Sequence, residues 1–213
     1  MAFTVGIIGL PNVGKSTLLN ALSDAHAEAS NYPFCTIERN QGVVPVPDER
    51  LNQLAELLKP KEVIPTTVKF VDIAGLVKGA HRGEGLGNKF LHYVREADVL
   101  AHVLRCFEDE NIAHVHGDID PVRDYEIVET ELFLADIERV EQKLAKEGQR
   151  LKASKKDERE VLSFLESLRE SLSREEPVKS EDVPEKFKDV FNELRLLTSK
   201  PSLIVLNTGE DDP

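Results

Sequence analysis

The sequence predicts an α/β fold, a mostly parallel sheet with helices, carrying an inserted helical hairpin or coiled coil. Three observations predict it. Short apolar runs rich in β-branched residues alternate with helix-like stretches between residues 3 and 104. The first run ends in a glycine-rich turn that opens a helix. After residue 108 the apolar spacing changes to that of a coiled coil, and strand character returns only at Ser202.

Taken in order, Phe3 to Gly9 (FTVGIIG) reads as a buried strand, and Ser16 to Leu22 as the helix after the turn. Residues 25–42 are polar and turn-prone. Asp48 to Leu58 is an amphipathic helix with Leu51, Leu54, Leu57 and Leu58 on one face, bounded by Pro60 and Pro65. Thr66 to Asp72 is a strand that ends on a carboxylate. Gly75 to Gly87 holds five glycines in thirteen residues, and a helix follows from about Asn88 to Arg95. Asp98 to Leu104 is a further buried strand.

Beyond residue 108, Phe133, Ile137, Val140, Leu144 and Leu151 form one narrow stripe, interrupted at Glu147. Val161, Leu165, Leu168 and Leu172 form another, and 152–158 reads as the turn between them. The narrowness of each stripe favours a projecting antiparallel hairpin over two helices folded back on the sheet. Phe187 to Leu197 reads as a third helix, and Ser202 to Leu206 as the last strand. The expected organisation is a nucleotide-binding domain of residues 1–108 and 198–213, C-terminally incomplete, with a helical insertion over 109–197.

Composition narrows the class. The chain has 213 residues, 40% hydrophobic and 31% charged, enough apolar content for a packed core. No run approaches the ~20 apolar residues of a membrane span. The N-terminus lacks a secretory signal pattern, and Cys35 and Cys106 lack disulfide-framework or metal-ligand spacing. A reducing, cytoplasmic setting is expected. Of the net charge of −12, residues 1–108 carry −1 and residues 109–213 carry −11. That acidity argues against a sequence-blind grip on nucleic acid by the chain as a whole.

Gly9-Leu10-Pro11-Asn12-Val13-Gly14-Lys15-Ser16 matches G-x-x-x-x-G-K-[ST], in the strand-to-helix context that the motif requires. Its backbone N–H groups and the helix N-terminus suit phosphate oxygens. The candidate nucleotide-binding residues here are Asn12, Val13, Gly14, Lys15, Ser16 and Thr17, with Lys15 also catalytic through the β- and γ-phosphates. Ser16 is a candidate Mg²⁺ ligand. Asp72 can hold the metal's water shell, Gly75 can turn its N–H toward a γ-phosphate, and Thr36 can supply a second hydroxyl ligand.

With these residues in view, the chain resembles the P-loop GTPases of the translation-factor class, which have a Ras-like G domain. Within them it resembles the Obg family and its Obg-like ATPases. Asn12 to Ser16, Asn31-Tyr32-Pro33-Phe34 and Asp72 to Ala80, with Gly83, Gly85 and Gly87, carry the resemblance. It implies a Mg²⁺-dependent nucleotide switch, segments 31–42 and 73–88 that report nucleotide state, a ribosomal partner, and an ATP preference. It also implies a further strand and helix, a serine–alanine loop that touches the base, and a small TGS domain after residue 213.

Guanine readers of this class use N-K-x-D, whereas this chain has Asn207-Thr208-Gly209-Glu210. Asn207 and Glu210 remain candidate base-site residues. Glu210 is one methylene longer than aspartate, and Thr208 cannot lay an aliphatic stem along a base, so the paired guanine readout is compromised. The residues themselves show only lost guanine selectivity; the resemblance to the Obg-like ATPases is what makes ATP the expected substrate, with GTP the alternative. Leu76 occupies the place where Ras-type enzymes carry a water-orienting glutamine. Two devices could replace it. Asn12 resembles the asparagine that in some related enzymes helps hold K⁺ beside the phosphates, or it simply stabilises the loop. His114 could orient water as a neutral imidazole, or pack the loop, with His116 the lesser contender. Lys78, His81, Arg82 and Lys89 are candidate phosphate or partner contacts, and Cys35 a candidate oxidation site, against the plainer reading of a solvated loop. A monomer is expected.

Overall fold

The computed structural model describes residues 3–27, 40–73, 86–150 and 156–209. Five strands form one sheet: β1 (Phe3–Ile8), β2 (Gln41–Pro45), β3 (Thr67–Asp72), β4 (Val99–Arg105) and β5 (Ser202–Asn207). Their spatial order is β2-β3-β1-β4-β5, and every pairing is parallel except β2 with β3. The helices are α1 (Lys15–Ala27), α2 (Glu49–Leu58), α3 (Leu86–Glu96), α4 (Pro121–Arg150), α5 (Lys156–Ser173) and α6 (Lys188–Leu194).

Parallel pairing brings the C-terminal ends of β1, β3, β4 and β5 to one edge of the sheet. In register, Ile7 pairs with Asp72, Ile8 with His102, and Arg105 with Asn207. The crevice outside those ends is where open α/β sheets bind ligands. Ile7, Ile8, Val71, Leu100 and Val103 pack against Leu19 of α1, Leu91 and Val94 of α3, and Val128 and Leu132 of α4. These buried apolar side chains make the strand edge a rigid platform.

The sequence missed β2, whose residues 41 and 42 fell in the stretch read as turn-prone. Five residues with proline at the end carry little local signal. The strand exists through its antiparallel ladder to β3 and its alternating burial, with Val44 inside. The helix α2 forms where its pattern predicts it, capped by Asp48, whose side chain accepts from the Arg50 N–H. Its apolar face is not core, however: Leu54, Leu57 and Leu58 are 53%, 78% and 71% exposed.

The stripes on α4 and α5 meet as the pattern predicts. Phe133 and Val140 bury against Leu165, Leu168 and Leu172, and Val183, Phe191, Leu194 and Leu196 complete this second cluster. The helix α4 belongs to both clusters, since Val128, Leu132 and Ala135 lie in the sheet's core. The third helix ends three residues early. Arg195 turns into the left-handed region at φ 46, and Leu196 and Leu197 bury as loop anchors rather than helix residues.

That loop is held by Asp136 of α4. The buried carboxylate accepts from Leu197 N, Thr198 N and Thr198 Oγ1, each at 2.9 Å. Burial pushes its pKa up, and those donors and the charge of Arg95 oppose the shift. The chain thus enters β5 from a fixed point on α4.

Candidate nucleotide-binding site

The site starts at the end of β1. Gly9 has φ 144, and a Cβ there would run into the Val103 carbonyl. Gly14 has φ 99, and a Cβ there would strike the Asn207 side chain. Both glycines are therefore required by conformation and by space. The helix α1 opens at Lys15, with Leu18 N donating to Gly14 O at 2.9 Å. Val13 is buried under the loop, while Ser16 and Thr17 are exposed in the first turn.

Lys15 is buried, and its ammonium donates to the Leu10 carbonyl at 2.7 Å. Burial lowers its pKa, and the negative charge of Asp72 opposes the shift. An anion arriving in the loop would offer this ammonium a stronger acceptor than a carbonyl.

The Ser16 hydroxyl donates to Asp72 Oδ2, while Asp72 Oδ1 is buried without a hydrogen-bond partner. A serine hydroxyl and a carboxylate with one unused oxygen, beside a phosphate loop, suit a magnesium ion and its water shell. The donor set fits that ion. Thr36, Gly75 and Glu210 lie outside the described residues, as do Cys35, Leu76, Lys78, His81 and Arg82 and the side chain of Lys89.

Two distant segments hold the crown of the loop. Asn207 Nδ2 donates to Val13 O at 2.9 Å, which ties the end of β5 to the loop. Asn12, at φ 62, donates from Nδ2 to Ala113 O at 3.1 Å. The stretch after β4 is thereby bound to the phosphate cradle.

His114 follows Ala113 and is not presented as a water-orienting base. Its Nε2 lies 2.8 Å from Asp124 Oδ2, and the two side chains are 2% and 1% exposed. The other nitrogen, Nδ1, accepts from the His116 N–H at 3.2 Å. Nε2 therefore carries the proton and donates it to Asp124. Both nitrogens are occupied, because Asp124 lies in the first turn of α4, directly across from the loop. His116 is exposed.

Sequence reasoning missed three residues here. Asp124 is one of many acidic residues on α4, and nothing local marks it as buried. His102 is buried on β4, with both ring nitrogens unpartnered and its ring stacked on Tyr125 at 5.0 Å. Burial, and then the Lys15 charge, push its pKa down to about 4. Arg105 is buried at the end of β4 and bonded to loop carbonyls. An Arg directly after an apolar strand is the one signal in the sequence that could have found it.

A phosphate loop at the C-terminal edge of a parallel sheet, with a Ser–Asp pair beside it, defines a P-loop nucleotide-binding protein. The family model described as 50S ribosome-binding GTPase matches residues 4–137, and the chain belongs to that family. Its relatives within it are YchF proteins. It is 50% identical over 212 residues to the ribosome-binding ATPase YchF of Bacillus subtilis (strain 168) and covers 58% of that protein. It is 49% identical over 211 residues to the ribosome-binding ATPase YchF of Escherichia coli O157:H7, again covering 58%. The solved structure of the Schizosaccharomyces pombe YchF GTPase superposes with a TM-score of 0.80 at 40% identity, over 98% of this chain and 57% of that one. The chain thus spans somewhat over half the length of these relatives.

Proposed function

We propose that the protein is a Mg²⁺-dependent nucleoside triphosphatase that binds and hydrolyses ATP as a nucleotide switch on the ribosome. The observation that carries this reading is the Ser16–Asp72 pair beside the buried Lys15 ammonium. On nucleotide binding, Lys15 exchanges the Leu10 carbonyl for β- and γ-phosphate oxygens. The loop N–H groups and the start of α1 stabilise the charge that builds on the transferred phosphoryl group. Mg²⁺ supplies further neutralisation of that charge. Ser16 and Thr36 would ligate it, and Asp72 would hold its water through the unused oxygen. Gly75 would donate its N–H to the γ-phosphate.

Water orientation requires a residue other than Leu76. His114 would serve once its ring leaves Asp124, and Asn12 couples that loop to the phosphates. The Asn12 amide spends its nitrogen on Ala113, which leaves its oxygen as the group that would meet K⁺. Asn207 and Glu210 would line the base. The names of the relatives support a ribosomal partner. The protein would meet it in the cytoplasm as a monomer, with any nucleic-acid contact made through the ribosome.

ATP is the first reading because the relatives are named ATPases, while Thr208 and Glu210 in place of a lysine and an aspartate weaken a guanine readout. GTP is the second reading, favoured by the family description and the fission-yeast structure. Competition binding of ATP against GTP tests it, and a hundredfold preference for GTP overturns the ATP reading. Full function with a non-hydrolysable analogue would instead show that hydrolysis is incidental to a nucleotide-gated binding module.

A further inference from the structure

Asn12 and Val13 are neighbours at the crown of the phosphate loop, and each is tied to a segment about 100 or more residues away in sequence. Those two segments converge on one residue. Arg105 pairs in register with Asn207, and the next residue, Cys106, donates its N–H to Asn207 O at 2.8 Å. On the other side, the Arg105 guanidinium spans the loop that leads to Ala113. Nε donates to Phe107 O at 3.1 Å, Nη1 to Ile112 O at 2.8 Å and Nη2 to Asp109 O at 3.2 Å. The group also stacks over the Phe107 ring, 4.5 Å from its centroid.

Arg105 is only 1% exposed, and its hydrogen bonds among the described residues all go to main-chain carbonyls. A buried cation is costly unless its donors are satisfied. Here its planar fork acts as a three-pronged strut between the end of β4 and an irregular loop. Lysine could not reproduce this, because its donors radiate from a single nitrogen.

We infer that Arg105 is a positioning residue for the phosphate site. It fixes the distance between the end of β5 and the 107–113 loop, and through Asn207 and Ala113 it sets where Val13 and Asn12 sit. It touches no nucleotide itself. This inference rests on the triphosphatase reading given above.

The test crosses Arg105→Lys with Asn12→Ala in the full chain. Single-turnover hydrolysis, triphosphate affinity, and amide exchange of residues 10–14 with nucleotide bound are followed for each variant. Arg105→Lys is expected to slow hydrolysis about tenfold while affinity stays within about threefold. Exchange at 10–14 should rise about fivefold or more. In the Asn12→Ala background the same substitution should cost less than about twofold, because the guanidinium acts through the 107–113 loop and Asn12, while the link from residues 105–106 to Asn207 is main-chain and survives Arg105→Lys. Unchanged exchange at 10–14, or rate losses that simply multiply, overturns the inference. If Arg105→Lys does not fold, Phe107→Leu, which removes only the ring beneath the guanidinium, carries the same cycle. Faster exchange in a protein whose parent shows no hydrolysis overturns the triphosphatase reading and leaves the strut intact.

Discussion

The Ser16 hydroxyl donates to Asp72 Oδ2, which joins the first turn of α1 to the last residue of β3 across 56 positions of sequence. The second carboxylate oxygen is buried and unused. Asp72→Asn keeps the size of the side chain and removes the charge that would hold a metal-bound water. The magnesium concentration giving half-maximal triphosphate binding should rise about tenfold or more. A magnesium titration of nucleotide binding measures it, and an unmoved midpoint excludes Asp72 from the metal site.

Lys15 is a buried cation whose present hydrogen bond is to a carbonyl. Lys15→Met should weaken triphosphate binding by roughly 1.5–3 kcal/mol, or about 10- to 150-fold, because a charge-assisted contact is lost. The melting temperature without nucleotide should hold or rise, since a buried charge is replaced by an apolar chain of similar length. Fluorescent-nucleotide titration and thermal melting separate the two effects.

His114→Ala should lower kcat about tenfold or more, while triphosphate affinity changes by less than about threefold. Asp124→Asn should act in the opposite direction, holding or raising kcat, because it weakens the contact that the imidazole must leave. Equal turnover in parent and His114→Ala would reduce the pair to an anchor for the loop.

His102 gives stability a pH dependence of defined sign. Its folded-state pKa is about 4, below the ordinary 6.5, chiefly through burial. The unfolded chain therefore binds the extra proton between those values. Stability rises as pH increases from about 4 to 6.5 and is lost on the way down, by up to about 3 kcal/mol from this residue. His102→Phe preserves the stack on Tyr125, and a urea-midpoint profile against pH should flatten in that window. A profile that keeps the parent's slope assigns the effect to other groups.

Much of the architecture was legible in the sequence. The runs at 3–9, 66–72, 98–104 and 202–206 became β1, β3, β4 and β5 because each is short and rich in apolar and β-branched residues, although β5 leaves Leu203, Ile204 and Leu206 more than half exposed. The coiled-coil stripes on α4 and α5 were legible because a narrow apolar seam has one way to be buried. By contrast, β2 was illegible because its strand character lies in a ladder to β3 that no local window contains. The continuation of α6 through Leu197 was misread because apolar residues anchor loops as well as helices.

The phosphate-loop motif and the terminal carboxylate of β3 were legible in the sequence alone. Glycine, lysine and serine at that spacing have a single economical use after a strand. Only the tertiary structure decided what the neighbouring residues do. Folding encloses His114 between Asp124 and a backbone N–H, leaves His102 unpartnered under the P-loop lysine, and makes Arg105 the meeting point of two tethers. Burial and the partners that come with it are properties of the packed sheet and helices, and an ionisable side chain takes its role from them rather than from its position in the chain.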